Sequence, residues 1–297
     1  MDLRQLTFFI GVAEELNFSR AAEKLAIAQP ALSRQIQQLE DDLGVLLLKR
    51  DKRNVSLTPA GSYLLNQARQ LRLTVAEMVQ QTQRVHKGLT GNLRIGHPGS
   101  ALYSVLPEIL AALSTHYPDV VTSLSESAEQ ELLEALLSHR FDVGLTREVI
   151  RDDRINSVLL FSEPFALVVP ECHWLTADTF KHLGQCRQEP FILCSLNSSL
   201  SYGQLLMSLF EPYGYRPRQV YEANYGATVL RLVEKNLGLA ILPISYQQGS
   251  SLRLRFLPLP TDTQLYIMWR TDDQNPVLHN FLTICHQTVA AMTPHSG

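Results

Sequence analysis

The chain has 297 residues, 45% hydrophobic and 19% charged, enough for about two domains and too apolar for a disordered chain. No apolar run reaches the ~18 residues of a membrane span, and the opening Met-Asp-Leu-Arg-Gln-Leu lacks the basic and apolar stretches of an export signal, so a cytoplasmic protein without membrane contact is expected. The first 90 residues hold 12 Lys and Arg against 9 Asp and Glu, the remainder 14 against 20, so only the N-terminal part suits a polyanion.

Leu3, Leu6, Phe9, Ile10 and Ala13 recur at helical spacing and predict an amphipathic helix over 2–15. Asn17 and Ser19 can cap a short second helix reaching about Ala26, whose Ala21 and Ala22 let a neighbour approach closely. A third helix starts at Gln29-Pro30, with proline expected at the first helical position, carries Ala31, Leu32, Ile36, Leu39 and Leu43 inward, and stops at Gly44. Three short helices with a tight connection between the last two make a helix-turn-helix. Leu46 to Leu57, apolar at both ends with Lys49-Arg50-Asp51-Lys52-Arg53-Asn54 between, predicts a two-stranded hairpin with a basic tip.

Thr58-Pro59 then opens a helix free of proline for nearly thirty residues. Leu64, Ala68, Leu71, Val75, Met78, Thr82 and Val85 follow one another at alternating spacings of four and three, a heptad seam that calls for a partner helix. A dimer is therefore expected, with packing against the chain's own body as the other reading. Gly88 to Asn92 reads as a hinge by its two glycines. Beyond it, Leu93–Gly96, Val120–Leu124, Phe141–Leu145, Ala166–Val169 and Phe191–Cys194 read as strands alternating with helices near 101–116, 129–139, 200–213, 226–236 and 276–291. Such alternation predicts α/β layers with largely parallel sheets, in two subdomains joined near Phe161–Pro164 and Gln264–Tyr266.

Helix-turn-helix, basic hairpin and pairing rod together point to double-stranded DNA, since twofold symmetry serves half-site recognition. Gln29, Pro30, Ala31, Ser33 and Arg34 would meet base edges, Arg by bidentate pairing with guanine and Gln with adenine. Arg50, Lys52 and Arg53 would contribute salt-dependent backbone affinity, and Ser19 stands at the start of the second helix. A mere three-helix packing unit with a solvated charged loop is the bland alternative.

Here the sequence resembles the LysR-type transcriptional regulators. Phe18-Ser-Arg-Ala-Ala-Glu-Lys-Leu25, Gln29-Pro-Ala-Leu-Ser-Arg-Gln-Ile36, Leu39-Glu-Asp-Asp-Leu-Gly44, Lys49-Arg50 and Leu57-Thr-Pro-Ala-Gly61 match the family's N-terminal signature. Leu93–Gly96, Phe141–Gly144 and Leu237–Pro243 match it more loosely to the end of the chain. The resemblance implies a winged helix-turn-helix over 1–58, a dimerising linker helix over 59–88, and a periplasmic-binding-protein-like effector domain over 89–297. That domain would have subdomain I at about 92–161 and 267–297 and subdomain II at about 162–266. It also implies a homodimer, a homotetramer built from it, a small-molecule effector, and room for RNA polymerase as a partner; Ser19 joins the DNA-contacting set. Two positions depart from the family pattern: Ala28 stands where Ser or Thr is usual, and Leu48 where Phe is usual.

Gly96-His-Pro-Gly-Ser100 follows a strand and precedes a helix, so N–H groups and the Ser100 hydroxyl can converge on an anion, though Ser100 as a plain helix cap reads equally from the residues. By resemblance the other cleft walls are Thr146, Arg147, Asn197, Ser198, Tyr202, Tyr225 and Gly226, with Arg147 in a surface ion pair as the alternative. Ala128 replaces a hydroxyl that relatives with aromatic-acid effectors present, and His97 reads as a structural histidine. Cys172, Cys186, Cys194 and Cys285 have no CxxC spacing and read as reduced thiols, with a Cys186–Cys194 redox pair as the weaker reading. No catalytic, nucleotide-binding or metal-ligand motif is present, so neither an enzyme nor a cofactor is expected. The rival classes, a solute-binding protein or an enzyme whose N-terminal helices only oligomerise, would not retard specific DNA in a gel.

Overall fold

A computed structural model of the chain describes residues 1–50, 54–127, 129–148, 150–194, 200–248 and 251–292. It comprises two compact units, Met1–Gln83 and Arg84–Gly297. The first begins with α1, Leu3–Glu15, in a capping box: the Asp2 carboxylate accepts the Gln5 N–H at 2.8 Å and the Gln5 side chain accepts the Asp2 N–H at 3.0 Å. Asn17 caps α2, Phe18–Lys24, by accepting from Ser19 and Arg20 N–H. Ala26, at φ 53°, tightens the turn into α3, Gln29–Leu43, and Gly44 ends that helix at φ 69°. Pro30 is the second helical residue, not the first; an N–H is unpaired at either position, so the ring forfeits no helical bond.

Strands β1, Leu48–Arg50, and β2, Val55–Leu57, pair antiparallel with Leu48 opposite Leu57. The 28-residue α4, Pro59–His86, follows. Thr58 fastens its start: Oγ1 accepts the Gly61 N–H at 2.9 Å and donates to the Leu46 carbonyl at 2.8 Å. Phe9, Leu32, Ile36, Leu39 and Leu47 form the core of this unit. Two residues of the seam belong to that core. Ala68 is buried in it and Leu64 packs half-buried against it, so both already serve the unit's own core. The first turns of α4 are needed to close the three-helix unit, so the seam becomes available only from Leu71 onward. There Leu71, Met78 and Val85 are exposed, and Val75 is half-buried.

The second unit contains β3 Thr90–His97, β4 Asp119–Glu126, β5 Val143–Thr146, β6 Ile155–Pro170, β7 Pro190–Cys194, β8 Arg218–Ala223, β9 Ala240–Pro243 and β10 Leu254–Arg270. Its helices are α5 Leu106–His116, α6 Glu129–Leu137, α7 Leu200–Ser208, α8 Gly226–Glu234 and α9 Pro276–Met292. The main sheet has the order β4-β3-β5-β10-β6-β9, and β7 pairs with β8 and bridges to the β9 side through Phe191 and Leu239. β3, β4 and β5 run parallel, as do β7 and β8. The expectation of largely parallel pairing fails for the two longest strands. β6 and β10 run antiparallel to each other, β10 antiparallel to β5, and β6 antiparallel to β9. One carries the chain from the first half of the unit to the second and the other brings it back, so they must run in opposite directions. Their register breaks between Pro258 and Asp262, opposite Ala166 and Pro164, and again at Leu265/Tyr266.

The halves have separate cores, one around Leu93, Ile95, Leu106, Ile109 and Phe281, the other around Phe165, Phe191 and Phe210. A buried carboxylate organises the first. Asp142 accepts from the Arg94 backbone N–H at 2.8 Å and from the Arg94 guanidinium at 2.7 and 3.0 Å, while Arg270 spans the carbonyls of Leu136 and Phe141, each at 2.7 Å, and pairs with Asp273. The expected hinge at Gly88 is tethered. Gly88 turns at φ 64°, and the Asn280 amide donates to the Lys87 carbonyl at 2.9 Å. Among the described residues no helix is long and apolar enough to cross a membrane.

Candidate nucleic-acid interface and effector cleft

On the first unit Gln29, Pro30 and Arg34 are exposed on one face of α3, with Ala31 and Ser33 half-buried beside them and Ser19 exposed at the start of α2. Ala28 provides no side-chain cap, Pro30 has no N–H and the Ala31 N–H donates to the Ala28 carbonyl at 3.0 Å, so in the first turn of α3 the Gln29 N–H is left to an outside acceptor such as a phosphate oxygen. Arg34 makes only a long contact with the Pro30 carbonyl, 3.4 Å, and its guanidinium remains available. Arg50 behaves differently. Its Nη2 donates to Glu40 at 2.8 Å and its guanidinium lies 4.9 Å from the Phe18 ring centroid. Lys52 and Arg53 lie outside the described residues.

In the second unit the residues expected around an effector follow the carboxyl ends of parallel strands, the edge of an α/β sheet where ligands bind. Ser100 sits in a 3-10 turn after β3, Thr146 and Arg147 close β5, Tyr202 lies in the first turn of α7 beyond β7, and Tyr225 and Gly226 begin α8 after β8. Asn197, Ser198 and Ala128 lie outside the described residues. Ser100, Thr146 and Arg147 are buried. Arg147 Nε donates to Ser100 Oγ at 3.1 Å and its Nη2 to Glu163 at 2.5 Å. Arg147 is thus in an ion pair, as the alternative had it, but a buried one. Glu163, at the crossing of β6, also accepts from the Ser245 N–H at 2.7 Å and hydroxyl at 3.1 Å, so one carboxylate links both halves of the unit.

A second link runs from β5 to α7. The Glu148 carboxylate accepts the Tyr202 N–H at 3.0 Å, and the Tyr202 ring lies 5.8 Å from that of Phe165. Gly226 is required at the start of α8, because a Cβ there would lie 2.2 Å from the Tyr246 hydroxyl. Gly99 faces the same hydroxyl, at 2.9 Å from an added Cβ. Tyr225 is half exposed. His97 is buried with Nδ1 3.2 Å from the Pro98 carbonyl, a structural position.

Sequence reasoning missed Glu40, Glu148, Glu163 and Tyr246. The available signal was a lone acidic residue inside an otherwise apolar stretch, as Glu163 is before Pro-Phe-Ala-Leu-Val-Val. Elsewhere charge and burial act as expected: Arg154 beside Asp152 holds that carboxyl at about 2, and Arg20 and Lys24 lower Glu15. Burial pushes the Cys186 thiol up to about 12 and raises Cys285 as well, so both are unreactive, while Cys172 is exposed. The Cys194 side chain, the other half of the redox reading, is not among those described. Among the described residues no cluster of His, Cys, Asp or Glu could hold a metal ion.

A winged helix-turn-helix with an exposed reading helix, followed by a two-lobed α/β unit with a polar crossing, defines a class of DNA-binding regulators with a ligand-responsive domain. Residues 3–62 match the bacterial regulatory helix-turn-helix protein, lysR family, and residues 86–290 match the LysR substrate binding domain. The chain belongs to the LysR family of transcriptional regulators. It is 33% identical to the HTH-type transcriptional regulator AlsR of Bacillus subtilis (strain 168), over 97% of each chain. It is 32% identical to the HTH-type transcriptional regulator BenM of Acinetobacter baylyi, over 98% of this chain and 97% of the relative. The solved structure of full-length CbnR complexed with its target DNA superposes with a TM-score of 0.84 at 28% identity, covering 97% of this chain and all of that one. The protein is therefore a DNA-binding transcriptional regulator with an effector-binding domain.

Proposed function

We propose that the effector is a small anion held at the carboxyl ends of β3 and β5, and that its binding shifts the protein between states that contact DNA differently. The observation that carries this reading is the buried Ser100–Arg147 contact. Buried polar groups are costly unless partnered, and these lie at the strand ends and not in either apolar core. Because Arg147 is already matched by Glu163, its part is to accompany Ser100: the hydroxyl oxygen accepts from Arg147, leaving the Ser100 O–H to donate to an effector oxygen. Gln29, Pro30, Ala31, Ser33 and Arg34 are the proposed base-reading residues, with Ser19, Lys52 and Arg53 on the backbone. Leu71, Val75, Met78 and Val85 of α4 supply a dimer seam, and a tetramer follows from association of the second units. The protein acts in the cytoplasm, where its DNA is, as a regulator and not as an enzyme.

Ser100→Leu in the full-length protein tests the cleft. A thermal-shift series with benzoate and other small carboxylates, followed by footprinting with any that stabilise the parent, should show the ligand response lost in the variant and its affinity for DNA retained. A variant that still shifts its footprint normally with the same carboxylate places the effector elsewhere.

A further inference from the structure

We propose that Glu40 is a positioning residue for DNA reading: its buried carboxylate sets the wing hairpin against the recognition helix and withdraws Arg50 from the phosphate contacts. Glu40 lies near the C-terminal end of α3, beyond the exposed face that carries Gln29 and Arg34, and its side chain is only 6% exposed. A carboxylate at that depth persists only when every lone pair it turns inward is met. Here both oxygens are used, and neither serves α3 itself. Oε1 accepts the N–H groups of Leu47, at 2.8 Å, and Leu48, at 3.0 Å, the residues through which the chain enters β1. Oε2 accepts from the Arg50 guanidinium at the end of the same strand.

The arrangement reaches two further elements, α2 and α4. Arg50 lies over the Phe18 ring of α2, so one guanidinium joins α3, β1 and α2. Leu47 is held from its other side as well, since its carbonyl accepts the Thr58 N–H at 2.9 Å from the residue that caps α4. The connection between recognition helix and wing is therefore pinned at both its N–H and its C=O. Base contacts from α3 and backbone contacts from the hairpin must be made in register to tell one sequence from another, and phosphate contacts fix that register. Arg50 has a carboxylate at 2.8 Å, so its charge is already compensated and its docking would release little counterion. The basic character of Lys49-Arg50-Asp51-Lys52-Arg53 on which a backbone role for Arg50 was expected thus divides: Arg50 orients the hairpin, and the other cations are left to the phosphates.

The test uses the full-length protein, a duplex selected from random sequence by the parent, and a scrambled duplex, with affinities measured between 50 and 200 mM salt. Arg50→Ala should leave the salt slope unchanged while the cognate-to-scrambled affinity ratio falls about tenfold. Glu40→Gln, nearly isosteric, should lower the ratio to a similar degree and steepen the slope by roughly one phosphate contact, because Arg50 is released. The double variant should lose no more ratio than either single one, and Arg53→Ala serves as the reference for a shallower slope. A slope made shallower by about one contact in Arg50→Ala, or ratio losses that simply add, overturns the proposal. Should Glu40→Gln prove unfolded by circular dichroism, the slope of Arg50→Ala decides alone.

Discussion

The two units put their proposed functional side chains in opposite places. In the first, Gln29, Pro30 and Arg34 stand in solvent while the charged pair Glu40–Arg50 lies behind them at the joint with the hairpin. In the second, Ser100, Thr146 and Arg147 are themselves buried, and the pair Arg147–Glu163 lies among them. A duplex is larger than the module that reads it, so the reading groups must project. A small molecule must be enclosed, so its groups must be recessed, and recessed polar groups need partners before any ligand arrives. Glu40 is buried in the first unit and Glu163 in the second, and on the proposed reading the first supports the reading surface while the second belongs to the cleft.

The sharpest way to separate the units is to unfold one alone. Asp142→Ala leaves the Arg94 backbone N–H without its acceptor and removes a neighbour of Arg270, which keeps its pair with Asp273, and should destabilise the second unit by about 1–3 kcal/mol. Denaturation followed separately in the two units should show the second transition alone moving; an unchanged second transition would mean that the Asp142 network is dispensable. Gly61→Ala strikes the first unit. A Cβ there would lie 2.0 Å from the Leu47 carbonyl oxygen, which is backbone and cannot swing away, so the substitution should cost about 1–3 kcal/mol in the first transition.

Arg34→Ala leaves both transitions in place and acts on recognition, with an expected loss of about 1–3 kcal/mol at the cognate duplex. Equal discrimination between cognate and scrambled duplexes by variant and parent would remove Arg34 from the base contacts. The smallest effect concerns the thiols. At pH 8 iodoacetamide should modify Cys172 in the native protein, and peptide mass spectrometry should find Cys186 and Cys285 modified only after denaturation. Modification of Cys186 in the folded chain would revive a redox role for it.

What could be read directly from the chain was what depends on short-range pattern. The three helices, the proline and glycine punctuation at Pro30, Gly44 and Pro59, the hairpin and the long α4 all follow from residues a few positions apart. The turn at Ser100 could be named because it sits between a recognisable strand and a helix, whereas Thr146 and Arg147 came from the family resemblance. The pairing direction of β6 and β10, the withdrawal of Leu64 and Ala68 into the unit's own core, and the capture of Arg50 by Glu40 and of Arg147 by Glu163 depend on separations of ten to about a hundred residues. Local propensity and periodicity say which face of an element is apolar. They are silent on which distant partner will cover it, and a buried charge is placed by that partner, so those assignments waited for the tertiary structure.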